Sequence, residues 1–388
     1  MTPAEEFMPT ALYIHIPFCL KKCAYCDFVS AAGSTIPYDE YAAGVVREME
    51  LRSELLLHPL AATTLYLGGG TPSLLPPAAI SRFITTARSR YGLSPDAEVT
   101  MEANPGTVTF KTLSAFHDAG VNRLSLGIQS LDDRLLNLLG RAHTAAQAEE
   151  AYAAARAAGF DNIGLDLMHS LPGQTVLEWE ESLALVVALA PEHISAYGLT
   201  LEDGTPLHRQ WEEGRLMLPD DEEGALMFEL TTERLTAAGY EQYEISNFAL
   251  PGRRSRHNQT YWKREPYLGF GAAAHSFLNA PSFGRRWQSP NDPAEYLRRV
   301  TGGELPEMES IILTRREAMA ECFFLGLRTS DGVDTKRFHD CFGESVEQSY
   351  GAEIRRLLSQ GLLERHGRHL AIPASRLILS NQLLVHFV

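Results

Sequence analysis

A regular alternation of short β-rich runs with stretches of helical spacing limits what this chain can fold into. The predicted strands are Leu12–Ile16, Thr64–Leu67, Glu98–Met101, Arg123–Ile128, Asn162–Met168 and His193–Leu199. Helical spacing covers Tyr38–Leu57, Pro77–Tyr91, Phe110–Ala119, Ala145–Ala158 and Val176–Ala190, and a further helix is predicted over Asp221–Ala238. Strand–helix alternation of this kind implies βαβ units, right-handed crossovers and a parallel α/β sheet. Six units are too few for a full eight-stranded barrel and enough for a partial (β/α)6 one. A doubly wound open sheet is the competing architecture. In both, the loops after the carboxyl ends of the strands form the site, so residues there carry extra weight.

The stretch from Asn279 to Pro293 (NAPSFGRRWQSPNDP) is rich in Pro, Ser and Asn and predicts a linker. It divides the chain into a flexible start at 1–10, a main domain over 11–278, the linker at 279–293 and a smaller domain over 294–388. The smaller domain is predicted helical at Arg315–Leu327, Thr335–Phe342 and Glu344–Gln360, then strand-like at Leu362–Glu364 and His369–Ile372, a winged-helix-like layout. From Asp334 onward it holds seven Lys/Arg against six Asp/Glu, and the whole chain carries a net charge of −15. Neither balance provides the basic face that nucleic acid requires. The longest plainly apolar run, Leu183 to Ala190, is far short of the ~20 residues needed to span a bilayer. MTPAEEFMPT has no basic start of a secretory signal. These features predict a cytoplasmic protein without a transmembrane segment.

Three of the five cysteines stand together in HIPFCLKKCAYC. Cys19, Cys23 and Cys26 have a C-x3-C-x2-C spacing just after the first predicted strand. Thiolates so spaced on one loop can converge on an iron–sulfur cluster. Three ligands to a four-iron cube leave one iron open. A zinc site usually wants a fourth Cys or His, and unrelated buried thiols would not cluster this tightly. Cys322 and Cys341 read as ordinary core or helix positions.

With the glycine run of LYLGGGTPSLL after the second strand, this loop resembles the signature of radical S-adenosylmethionine (SAM) proteins. The motifs YIHIPFC, CAYCDF, MEANPGT, NRLSLGIQS, LGRAH, DLMHSLPGQT, YEISNFA and HNQTYW narrow the likeness. Together they resemble the HemW-type haem-chaperone branch of the oxygen-independent coproporphyrinogen III oxidase group, from about Leu12 to Ser276. The resemblance implies a TIM-like partial barrel with a HemN-type C-terminal domain, and a [4Fe-4S] cluster on Cys19, Cys23 and Cys26 chelated by exchangeable SAM. It assigns Tyr13, Tyr25, Gly69, Gly70, Thr71, Glu102, Gln129, Arg141 and Asp166 to SAM. A carboxylate, amide, guanidinium and second carboxylate can match an amino-acid zwitterion and two ribose hydroxyls. The alternative for those polar residues is an ion-pair network closing one barrel end. Glycines there would let a ligand approach the backbone.

The resemblance makes His257, in HNQTYW, the expected haem ligand, with His275 next. The competing reading is a satisfied histidine among core aromatics. Arg253, Arg254, Arg256, Arg285 and Arg286 either clamp propionates or form a solvated basic surface. The implied function is haem binding and transfer to acceptor haemoproteins, leaving open respiratory enzymes as acceptors, contact with a membrane surface and a homodimer. The alternative is the enzyme of the same group, coproporphyrinogen III dehydrogenase, which decarboxylates propionates by radical chemistry. Those enzymes carry a further Cys two residues after the third ligand, where this chain has Phe28, and a substantial extension before the loop, where 18 residues precede Cys19. Phe28 is expected to pack beside the cluster and shield it.

Overall fold

The computed structural model describes residues 8–32, 37–56 and 60–387. Six parallel strands form its first half: β1 (Met8–Ile16), β2 (Leu60–Gly69), β3 (Glu98–Ala103), β4 (Arg123–Gln129), β5 (Ile163–His169) and β6 (His193–Gly198). Each pairs in parallel with the next, so sheet order follows chain order with no reversal. A doubly wound sheet must reverse at a switch point. The unbroken order decides for the partial barrel.

The crossover helices are Tyr38–Ser53, Pro77–Tyr91, Phe110–Ala119, Ala145–Ala157 and Val176–Leu189. Three of them start on a threonine (Thr109, Thr144 and Thr175) whose hydroxyl accepts from the third helical N–H while that residue's side chain caps back. The first crossover helix ends at Ser53, short of the predicted Leu57, which lies outside the described residues. Residues 1–7 of the expected flexible start also lie outside them, and residues 8–10 open β1.

Beyond β6 lie two short antiparallel strands, β7 (Glu241–Gln242) and β8 (Asn247–Ala249). On the other edge, β9 (Tyr267–Phe270) runs parallel to β1. The antiparallel strands β10 (His275–Leu278), β11 (Arg285–Gln288) and β12 (Met308–Ile312) complete a twelve-stranded sheet. The stretch 279–293, predicted as a linker, therefore contains β11. Its Trp287 is buried, with the guanidiniums of Arg52 and Arg285 over the ring. The Pro293–Thr301 helix packs Tyr296, Leu297 and Val300 into the core of the main sheet. Glu48, fully buried on the first crossover helix, accepts from Tyr296 Oη (2.7 Å) and from the Gly271 amide (2.9 Å), fastening this extension to the barrel.

A second core gathers residues from Ala318 to Phe387. It comprises helices Arg315–Gly326, Thr335–Phe342 and Val346–Ser359 with the hairpin Glu364–His366 and His369–Ala371, to which Val333–Asp334 adds a third strand. This is the expected helices-then-hairpin layout. Among the described residues no helix is long and apolar enough to cross a membrane.

Candidate functional site

The cysteine loop leaves β1 at Ile16 and is held where β2 and β3 end. The Gly70 amide donates to the Ile16 carbonyl (2.8 Å), and Ala24 is pinned through its N–H to Leu139 O and its carbonyl to the Leu207 amide, both at 2.9 Å. The side chains then close a chain of hydrogen bonds. Thr71 Oγ1 lies 3.5 Å from Cys19 Sγ and accepts from Asn104 Nδ2 at 2.9 Å. Arg141 donates to Asn104 Oδ1, to the Gly127 carbonyl (2.6 Å) and to Cys23 Sγ (3.3 Å). Two of the three thiols are thus joined through the ends of β2, β3 and β4.

Burial pushes the Cys26 thiol up, and Cys23 and Cys19 add to the shift, so the three sulfurs share one field. The positive charge of a metal centre is what allows such neighbouring thiols to ionise together. The buried Nε of Arg141 has no partner among the described residues, which leaves a donor for a bound anion. On both counts the residues fit a cluster with a carboxylate-bearing ligand. Among the described residues no three His, Cys, Asp or Glu side chains form a group that could hold a single metal ion.

Tyr25 packs on the small cluster of Leu135, Leu139, Met168 and Leu171 under the loop; burial raises its pKa and Arg141 opposes that. Tyr13 is placed differently from the expectation of a cofactor flank. It donates to, or accepts from, His15 Nδ1 (3.0 Å) and packs with Tyr66 and His257 inside the barrel. The glycines also have another physical reason than ligand approach. A Cβ on Gly69, whose φ is +110°, would lie 2.5 Å from the His15 ring, and one on Gly70 would lie 2.7 Å from the Phe18 carbonyl. They permit β2 to close on the cysteine loop.

Glu102 accepts from Tyr66 Oη at 2.8 Å and from the Gly69 amide at 3.0 Å. Burial pushes it up to about 7, and the nearby Asp166 carboxylate adds to this against the pull of the Tyr66 and Gly69 donors. Asp166 accepts from Ser125 Oγ at 3.1 and 3.2 Å, with Ser195 on the other flanking strand as a second donor. Gln129 sits at φ +63° beyond an irregularity in the β4–β5 register. A non-glycine residue held there is an observed strain of the sort found at binding sites. Its amide, Asn104 and Arg141 converge over Gly127, where a Cβ would be 3.0 Å from Gln129 Nε2. Glu102, Gln129, Arg141 and Asp166 are therefore brought to one end of the barrel.

His257 is not brought there. The HNQTYW helix (Arg256–Trp262) lies across the opposite ends of the strands, its first amides received by the Glu98 carboxylate at 3.0 Å. His257 is 1% exposed, with Nδ1 2.8 Å from Thr64 Oγ1 and Nε2 2.8 Å from Tyr261 Oη. Burial brings its pKa down to about 3. Both ring nitrogens are engaged, so none is left for iron, and the expectation of a haem ligand gives way to a histidine that seats this helix. His275 is exposed at the start of β10. The arginines form no common clamp: Arg253 faces Asp161, Arg254 faces Asp331 and Glu241, Arg256 meets backbone carbonyls, Arg285 faces Glu307 and Arg286 faces Glu321. Phe28 is 63% exposed and does not pack over the loop as expected.

Sequence reasoning missed Asn104, Ser125, Ser195, Gly127 and His15. Asn104 and His15 lay inside quoted motifs, MEANPGT and YIHIPFC. Their roles emerge only from which strands are neighbours.

The chain matches the family model "Radical SAM superfamily" over residues 13–186 and "HemN C-terminal domain" over 313–375. It is 35% identical over 383 residues to the heme chaperone HemW of Bacillus subtilis, covering 97% of this chain and 98% of that protein. It is 40% identical over 274 residues to the Escherichia coli heme chaperone HemW, covering 70% and 71%. With radical S-adenosyl methionine domain-containing protein 1 of Mus musculus, a mitochondrial protein, it shares 36% over 379 residues, covering 93% and 83%. The solved structure of coproporphyrinogen III oxidase (HemN) from Escherichia coli superposes with a TM-score of 0.84 at 23% identity, over 99% of this chain and 91% of that one. At that identity the likeness establishes the fold.

Proposed function

This chain belongs to the HemW family of heme chaperones in the radical SAM superfamily, and from that premise we propose that it binds haem and passes it to acceptor haemoproteins. It does so carrying a [4Fe-4S] cluster on Cys19, Cys23 and Cys26, with SAM at the strand ends. The cluster supplies one open iron for the amino and carboxylate groups of SAM. The observation that carries this reading is the hydrogen-bond chain from Cys19 through Thr71, Asn104 and Arg141 to Cys23.

Each residue has a task in that scheme. Thr71 and Arg141 donate to the Cys19 and Cys23 sulfurs, which holds both sulfurs at the strand ends. The free Nε of Arg141 faces carboxylate chemistry, Glu102 receives an amino group, and Asp166, oriented by its two serines, receives ribose hydroxyls. Gly69 and Gly70 keep β2 and the cysteine loop in contact. The test is anaerobic cluster reconstitution followed by haemin titration with and without SAM. Failure to bind haemin would reject the chaperone reading.

The pKa of Glu102 sets a further expectation. Raised to about 7, it makes a contribution to stability that is present at low pH and lost as pH rises through that value. A ligand amino group favours the carboxylate. SAM affinity, measured by equilibrium dialysis, should therefore increase as pH rises through about 7, and Glu102→Gln should flatten that dependence. A pH-independent wild type would remove Glu102 from the amino-group role.

Coproporphyrinogen decarboxylation is the enzymatic alternative. Phe28, exposed beside the loop, offers neither redox nor hydrogen-bonding chemistry where the decarboxylating enzymes have a thiol. Reconstituted protein given coproporphyrinogen III, SAM and a low-potential reductant should form no protoporphyrinogen at the rate of a genuine dehydrogenase. Comparable rates would make the enzyme reading primary.

A further inference from the structure

The HNQTYW helix has two faces, and only one of them enters the barrel. His257 and Tyr261, four residues apart, point inward; Gln259, Trp262 and the following Lys263 lie on the opposite side by helical rotation. There they border a cavity of about 660 Å3 between this helix and the C-terminal domain. That volume lies within the roughly 300–1,000 Å3 of sites that enclose organic ligands.

Aromatic, cationic and acidic groups share the lining, the acidic ones being Asp331, paired with Arg254, and Asp334, paired with Arg368. Trp262, Phe283, Phe338 and Phe342 make apolar walls, with Phe283 and Phe342 stacked at 28°. Trp262 Nε1 is buried without a hydrogen-bond partner among the described residues. Cations stand at the margin. Arg254 and Arg264 are already engaged by carboxylates at 3.0 and 2.8 Å. Arg337 comes only to 3.8 Å from Glu265, and Lys263 makes no ion pair among the described residues. A flat apolar ring bearing two carboxylates suits such a chamber, the ring against the aromatic walls and the carboxylates at Lys263 and Arg337.

The lining also offers iron ligands, and their surroundings separate them. Burial pushes the Cys322 thiol up to about 11, which keeps it protonated. His366 Nε2 is held by Glu364 at 2.8 Å. His369 differs: its Nδ1 donates to the Asp331 carbonyl at 2.9 Å, and Nε2 is the ring nitrogen with no hydrogen bond among the described residues. Metal-ligating histidines are characteristically fixed in this way by a backbone carbonyl.

We propose that this cavity is the haem site, with His369 Nε2 as the axial ligand and Lys263 and Arg337 receiving the propionates. The proposal deepens the chaperone reading and rests on it. It also places the HNQTYW motif at the haem through Trp262 rather than through His257.

The experiment titrates the full chain with ferric haemin and follows the Soret band. In His369→Gly the wild-type band should be lost and affinity should fall roughly tenfold or more. Added imidazole should restore the band, which a purely structural histidine would not allow. The Lys263→Glu, Arg337→Glu double variant, altered at the cavity margin, should bind several-fold more weakly with the band position unchanged. A wild-type spectrum in His369→Gly, or full affinity in the double variant, overturns this site while leaving the chaperone reading standing. No haemin binding by the wild type overturns both.

Discussion

Serine in place of any one of Cys19, Cys23 or Cys26 is expected to remove the whole iron complement of anaerobically reconstituted protein, not a third of it. A four-iron cube held by only three thiolates has no spare protein ligand, because each sulfur anchors a different corner. The loop geometry sharpens the expectation for Cys23. Its sulfur receives a donor from Arg141, which is itself engaged by Asn104 and the Gly127 carbonyl. Serine would shorten the reach of that atom and replace a soft ligand with a hard one. Iron and sulfide analysis reads the result, with about four irons per wild-type chain. Stoichiometric zinc and no iron in the wild type would defeat the cluster assignment.

Asp166→Ala should leave iron content intact and weaken SAM binding by about 10- to 100-fold, since hydrogen bonds to a charged group contribute on the order of 1.5–3 kcal/mol. The carboxylate is held from both flanking strands by Ser125 and Ser195, so it is poised before any ligand arrives. Its removal leaves those two hydroxyls facing an unfilled space. Binding should be measured on reconstituted protein by calorimetry. Equal affinity in wild type and variant would take Asp166 out of the site.

The barrel was legible because its signals are local. β-rich runs and amphipathic spacing recur in each βαβ unit, and the Pro77–Tyr91 and Phe110–Ala119 helices have the predicted bounds. Glu102 and Asp166 were singled out through the motifs MEANPGT and DLMHSLPGQT, the first falling late in its strand and the second at the middle of its own. Asn104 and Ser195 were not, because each acquires its partner only when neighbouring strands come into register. β9 to β12 escaped prediction through their shortness, which leaves too few residues to show the alternation of a half-buried strand. His257 illustrates a different limit. HNQTYW forms a helix, yet a motif does not say which side of that helix faces inward. Likewise Cys322 and Cys341, on separate helices, border one cavity only after the C-terminal domain has packed.

Inside the barrel, Tyr66 lies between His257 and Glu102. Its ring stacks on His257 with centroids 5.0 Å apart, and its hydroxyl reaches Glu102 at 2.8 Å. Glu102 in turn holds the Gly69 amide. A ligand that draws Glu102 into its own hydrogen bonds competes for the carboxylate that Tyr66 uses, and Tyr66 also contacts the Arg256–Trp262 helix through His257. Linkage between occupancy at the strand ends and at the far face of that helix is read by measuring the affinity of each ligand with and without the other. Reciprocity makes the two effects equal: whatever factor one ligand imposes on the affinity of the other is returned unchanged.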